Sequence, residues 1–179
     1  MKSKYVKPGN ILKLIYVLIM LAGSCCFTYA QNTATGSVSA NVVVPIALVK
    51  NVDMNFGNAS VSVSTGGTVV LTPSGTRSAG GAGVTLPATA GTVAAAKFIV
   101  SGAPSYTYAI TLPSNVTISG PGSATMMVNG FTSAPSASGT LSAVGTQTLS
   151  VGATLTIAAS QIPGIYANAT AVPVTVNYN

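Results

Sequence analysis

Apolar residues alternate with polar ones in many short segments of this chain, and glycine or proline separates these segments about every ten residues. Successive side chains of a β-strand point to opposite faces, so a period of two gives strands with one buried face. No stretch after residue 30 repeats apolar residues at helical spacing. The pattern therefore predicts an all-β fold, an antiparallel β-sandwich of about ten short strands.

The alternating segments place the predicted strands along the chain. They comprise residues 38–46, 54–56, 68–72, 83–86, 94–100, 106–112, 116–118, 124–128, 145–149, 153–157 and 170–178. A glycine-rich loop is predicted for residues 74–83, where glycine is too frequent for a packed strand.

Residues 1–30 have the pattern of a secretory signal peptide. Lys2, Lys4, Lys7 and Lys13 form a positive flank before the apolar run 14–22, and Thr28 and Ala30 are small residues placed for cleavage before Gln31. The sequence thus predicts a leader at 1–30 and one mature domain at 31–179. We expect the mature chain to be exported to the periplasm, the cell surface or the medium, without a transmembrane span.

Two other interpretations of the leader stay open. The apolar run could be kept as an N-terminal anchor, although it is shorter than the roughly 20 residues that cross a bilayer. Alternatively, Cys25 or Cys26 could be lipidated after the small residues 22–24.

Charged residues are almost absent after residue 30. Of the seven basic residues four lie in the leader, so the mature chain keeps Lys50, Arg77 and Lys97 with the single acid Asp53. The chain has no histidine, and both cysteines lie in the leader. We therefore expect no enzymatic activity, no metal and no cofactor. No basic cluster remains to follow a phosphate backbone, so we expect no nucleic-acid partner. Asp53 is interpreted as a turn or cap residue.

Three tyrosines are candidates for a contact face. Tyr106 and Tyr108 lie two residues apart on one predicted strand face, and Tyr166 lies in a later loop. Such rings could stack on sugars of a surface polysaccharide if exposed. Rings that point inward would instead belong to the core.

The two ends of the mature chain are candidates for strand exchange. Val38, Ala40 and Val42 alternate with polar residues near the start, as Val174, Val176 and Tyr178 do near the end. A terminal strand can pair with the open sheet edge of a neighbouring subunit. The alternative is that both segments pair within one domain, as edge strands of ordinary sandwiches do.

Three blocks of sequence resemble one exported bacterial family. They are VVVPI at 42–46 with MNFG at 54–57, FIVSG at 98–102 with YTYAITLP at 106–113, and VGATL at 151–155 with QIPGIY at 161–166 and VTVNYN at 174–179. In this order they resemble domain-of-unknown-function family 4402.

The resemblance implies an exported, surface-associated sandwich of immunoglobulin-like or pilin-like type, loosely comparable to fimbrial subunits, and it carries over no catalytic or ligand residue. We expect a structural or adhesive surface protein whose partners are identical or related subunits. The alternative function is a non-catalytic carbohydrate- or surface-binding module.

Overall fold

A computed structural model describes residues 8–22, 31–168 and 172–179 of the chain. The first part is a helix, α1 (Pro8–Ala22), which contains the predicted apolar run. Its first residue is a proline, whose missing N–H and fixed φ suit that position. No helix in the described residues is long and apolar enough to cross a membrane. The predicted cleavage residues Thr28 and Ala30 and both cysteines lie outside the described residues.

The described residues from Val42 onward form an antiparallel all-β unit, which confirms the predicted fold class. Its strands are β1 (Ala47–Val52), β2 (Ser60–Val61), β3 (Gly67–Leu71), β4 (Arg77–Gly80), β5 (Val84–Thr85), β6 (Ala96–Ser101), β7 (Thr107–Thr111), β8 (Asn115–Ser119), β9 (Thr125–Ala134), β10 (Ser138–Thr140), β11 (Thr146–Ile157) and β12 (Thr175–Tyr178). A short 3-10 turn, Pro121–Ser123, lies between β8 and β9.

The largest sheet is built around β11, which is long enough to serve two neighbours on one edge. Residues 146–151 pair with β6 and residues 153–157 pair with β3, while β9 pairs along the opposite edge. The change of partner falls at Gly152. A Cβ there would meet the carbonyl oxygen of Leu71 and come within 2.6 Å of the backbone of Thr72. Glycine therefore lets β3 leave the sheet close to β11. β1 and β4 complete one path of this sheet, and β8 pairs with β9.

A second sheet has the order β10-β7-β12 and packs on the first. The first core cluster joins Phe98, Val100 and Leu149 of the large sheet to Tyr108 and Val176 of the small one. This contact between facing sheets is the sandwich arrangement expected from the alternation. A second cluster fills the other half of β11, where Leu155 and Ile157 pack with Val69, Val84 and Val128.

Several predicted strands are confirmed and others are corrected. The predictions for 68–72, 94–100, 106–112 and 116–118 coincide with β3, β6, β7 and β8. The two strands predicted at 145–149 and 153–157 are one strand, β11, because glycine at 152 allows close approach without ending the ladder. The predicted loop 74–83 contains β4, which pairs with β3.

The predicted strand 38–46 is wrong, because the first strand begins at Ala47. Ala47 pairs with Ser101, the last residue of β6, and Gly102 then bonds to Gly145 instead. Residues before Ala47 therefore lie beyond the end of β6 and have no residue of that strand to pair with. The C-terminal strand is also shorter than predicted: β12 covers 175–178, residues 172–174 form no strand, and 169–171 lie outside the described residues.

Candidate functional site

Tyr108, a candidate for ligand contact, is part of the core. Its ring is fully buried, and its hydroxyl donates a hydrogen bond of 2.6 Å to Oε1 of Gln147. Burial raises the pKa of this phenol above its ordinary value. Gly139 on the neighbouring strand makes room for the ring, since a Cβ there would lie 2.5 Å from Cζ of Tyr108. A ring enclosed in this way has no face for a ligand.

Tyr166 fastens one loop to another. Its hydroxyl donates to the carbonyl oxygen of Ile162 at 2.7 Å and accepts from Nε2 of Gln161 at 2.9 Å. The ring lies against Gly120, where a Cβ would come within 2.5 Å of Cε1. These contacts tie the loop before β12 to the turn after β8, which is a structural role.

Tyr106 is the most accessible of the three candidate tyrosines, with 42% of its surface exposed. It lies directly before β7 and packs edge-on against Tyr178, with ring centroids 5.6 Å apart and planes at 62°. Tyr106 and Tyr108 were predicted to share one strand face, but only Tyr108 is enclosed by the core.

Three charged residues after the leader, Lys50, Asp53 and Arg77, also make structural contacts. Nζ of Lys50 lies 2.6 Å from a carboxylate oxygen of Asp53, and both side chains are largely exposed. Arg77 donates hydrogen bonds of 2.8 and 2.6 Å to the carbonyl oxygens of Phe56 and Asn58, and thereby braces the MNFG motif. Among the described residues no three of histidine, cysteine, aspartate or glutamate are grouped as metal ligands.

The first unusual surface is the N-terminal segment, which we define as residues 31–45. It contains no helix or strand, and every residue except the half-buried Val43 is exposed. Val38 and Val42 keep 99% and 94% of their surface exposed. Alternation of polar and apolar residues runs without interruption from Thr33 to Val42. The segment thus has the pattern of a strand with one apolar face, but it pairs with no strand of the described chain.

The second unusual surface is the outer edge of β12. Ile110 of β7 donates its N–H to Ala137, on the side away from β12. Ile110 and its partner Val176 therefore form a non-hydrogen-bonded pair. The backbone N–H and C=O of Val176 consequently point away from β7, to the outer edge of the sheet. By the same alternation, those of Tyr178 also point outward. Val174, Val176 and Tyr178 were predicted as candidates for strand exchange, with pairing inside one domain as the alternative. Val176 and Tyr178 pair with β7 of the same chain, and Val174 lies just before β12.

The hydroxyl of Tyr178 joins the start and the end of the sandwich, a role that sequence analysis missed. It donates to the carbonyl oxygen of Val44 at 2.8 Å and accepts from the amide of Ala103 at 2.6 Å. Gly102 is required here, because a Cβ at that position would collide with the same hydroxyl. The bond to Val44 spans 134 residues, so no local sequence signal could have indicated it.

A small cavity lies at the other end of β1. It has a volume of about 90 Å³, and its lining includes Val52, Met54 and Val172 together with Ala96 and Phe98 of the first core cluster. Lys50 and Asp53 are also part of its lining. The cavity therefore reaches the core from the edge of the sandwich at which β1 is the outermost strand of the large sheet and β12 is the outermost strand of the small sheet.

The comparisons with known proteins identify a family without assigning an activity. No curated protein and no solved structure matches the chain. The model of one family, described as "Domain of unknown function (DUF4402)", matches residues 46–178, which is most of the chain. The match begins one residue after the N-terminal segment and includes the twelve strands that the described residues form. The chain therefore belongs to the family of domain of unknown function DUF4402.

Proposed function

We propose that this protein is an exported, non-catalytic structural subunit of a bacterial cell-surface assembly. The observation that carries the proposal is the exposed N-terminal segment, in which Val38 and Val42 present their side chains to water. Burying a valine side chain stabilises a protein by about 1.5–3 kcal/mol, so such a segment gains from a partner that covers it. A well-packed domain with an exposed, strand-like arm is suited to assembly into larger structures.

The tyrosine contacts favour this role over the alternative of carbohydrate binding. A sugar platform needs an accessible aromatic face, whereas Tyr108 is enclosed and Tyr166 is fastened to Gly120. Of the three candidate tyrosines Tyr106 keeps the largest exposed surface, and its ring packs on Tyr178. The leader pattern supports export, and the shortage of acids, histidine and cysteine supports a non-catalytic protein.

Fractionation of intact cells tests this function. Surface extracts should contain the protein as a series of oligomers in unboiled samples and as one monomer band after boiling. A cytoplasmic marker protein should be absent from the same extracts. A monomer that is released from the surface and retained on polysaccharide resins would contradict the structural role and favour the binding module.

A further inference from the structure

We propose that residues 33–42 of one copy pair as an additional strand with the outer edge of β12 in a second copy. This inference rests on the proposed function and names the partner and the contact through which subunits join. Two features support it. The alternating segment is unpaired, and the outward backbone groups of the edge strand β12 have no strand partner among the described residues. Main-chain hydrogen bonds would supply the attraction, and alternate side chains would be buried.

The donor segment has the composition of a half-buried strand. Its even positions carry Ala34, Gly36, Val38, Ala40 and Val42, and its odd positions carry only threonine, serine and asparagine. None of the residues 31–45 is charged, and proline occurs only at 45, after the alternation ends. The segment can therefore form a strand with one apolar face, and it is longer than the four residues of β12 with which it would pair.

The edge of β12 lacks the devices that protect three other sheet edges, those of β1, β4 and β8. Proteins guard their edges with charges, bulges or covering loops. β1 carries Lys50 and an irregular register at Asn51, and β4 carries Arg77. β8 is covered at Ser119 by two backbone hydrogen bonds with Ala167. In contrast, residues 172–179 contain no charged side chain, and β12 has a strand partner on one side only, although β1 of the large sheet lies close to it without pairing.

The faces of donor and acceptor also match. Val176 points into the core and its neighbours Thr175 and Asn177 point to solvent. A strand beside β12 that buries Val38, Ala40 and Val42 on the core side places Ser39 and Asn41 on the solvent side, next to Asn177.

The donor is tested in the full-length chain by charging its apolar face. In Val38→Asp with Val42→Asp, two carboxylates would enter the buried side of the new ladder. The matched control is Val63→Asp with Val144→Asp, because these valines are 82% and 81% exposed and lie outside the segment. We expect oligomers in unboiled surface extracts to fall at least tenfold in the donor variant and to remain unchanged in the control.

The acceptor is tested by cross-linking, since no cysteine occurs after residue 26. Full-length chains with Asn177→Cys are co-expressed with chains that carry Ser39→Cys or Asn41→Cys, and the cells are oxidised. We expect a covalent dimer from at least one of these pairs. Ser78→Cys on the edge of β4, an exposed position, replaces Asn177→Cys as the control and should give no dimer with either donor.

The outcomes separate this inference from the proposed function. Oligomers that persist in the donor variant, or that form without any cross-link to residue 177, overturn the strand pairing and leave the structural subunit intact. A loss of monomer stability in the donor variant, measured by urea unfolding, also overturns it, because the segment would then complete its own domain. An absence of surface oligomers in the wild-type protein contradicts the proposed function itself.

Discussion

Valine side chains are buried in the sandwich and exposed in the N-terminal segment. Val69, Val100 and Val151 are completely buried, whereas Val38 and Val42 are almost completely exposed. Strand β11, which contains Val151, alternates apolar and polar residues as the N-terminal segment does, so the difference does not arise from the local pattern. It arises from partners: each buried valine lies on a strand with hydrogen-bonded neighbours, and residues 31–45 precede the first ladder. Alternation thus specifies a strand face, and only a neighbouring strand makes that face part of a core.

The largest expected effect sharpens this contrast. Leu149 is fully buried on β11 at the centre of the first core cluster. We expect Leu149→Ala to lower the free energy of unfolding by about 2–5 kcal/mol, because the truncation leaves a cavity. Val38→Ala should change it by less than about 0.5 kcal/mol. Urea unfolding of the monomer measures both, and similar losses would erase the distinction between the two regions.

The next largest effect on stability is expected from substitution of a glycine in the sandwich, compared with a glycine in the N-terminal segment. Gly152→Ala should destabilise the monomer by about 1–3 kcal/mol, because the new methyl group meets the backbone of Leu71 and Thr72 and overpacking strains the sheet. Gly36→Ala is the matched control, since nothing lies within 4 Å of a Cβ built there. Thermal unfolding monitored by circular dichroism measures the stability of both variants. A stable Gly152→Ala protein would show that β3 and β6 do not depend on this close approach.

The buried phenol makes the sandwich sensitive to alkali. The pKa of Tyr108 is raised in the folded protein, so this group favours folding below the ordinary tyrosine pKa of about 10 and loses that contribution as the pH rises above it. Tyr108→Phe removes the bond to Gln147, and we expect a loss of about 1–2 kcal/mol near neutral pH.

The same variant should show a smaller decline of stability above pH 10 than the wild-type protein. Tyr106→Phe is the control, because its ring is partly exposed. Urea titrations at pH 8 and at higher pH measure both proteins, and an unchanged alkaline decline in Tyr108→Phe would show that another group causes it.

The smallest expected effect lies where the two regions meet. Tyr178→Phe removes the hydrogen bonds to Val44 and Ala103, and we expect a loss of about 0.5–1.5 kcal/mol. Hydrogen exchange should become faster at the Ala103 amide, which loses its acceptor. Unchanged exchange at that amide would show that the tyrosine hydroxyl does not hold the junction.

The sequence predicted the strands whose apolar residues meet a core, such as β3, β6 and β7. It could not predict β10, because Ser138, Gly139 and Thr140 carry no apolar residue. That strand exists through its pairing with β7, where Gly139 leaves space for Tyr108. For the candidate site, periodicity identified the alternating segment but placed a strand there, since local pattern carries no information about where β6 ends.

The local sequence also could not decide whether the two terminal segments pair within one chain or between chains. The sequence showed two similar terminal segments, but only the fold distinguishes them. Val176 contributes to the core and pairs through β12 with β7, while Val38 remains in water. Long-range pairing of this kind depends on tertiary contacts that no window of sequence contains.

Deletion of residues 31–41 tests the central claim most directly, because this segment lies outside the compact unit that begins at Val42. Full-length and deleted chains, both fused to the same leader, are compared for the urea midpoint of the monomer and for oligomers in unboiled surface extracts. We predict an unchanged midpoint and a complete loss of oligomers. A deleted protein that unfolds at lower urea, or that still forms the same oligomers, would contradict the account.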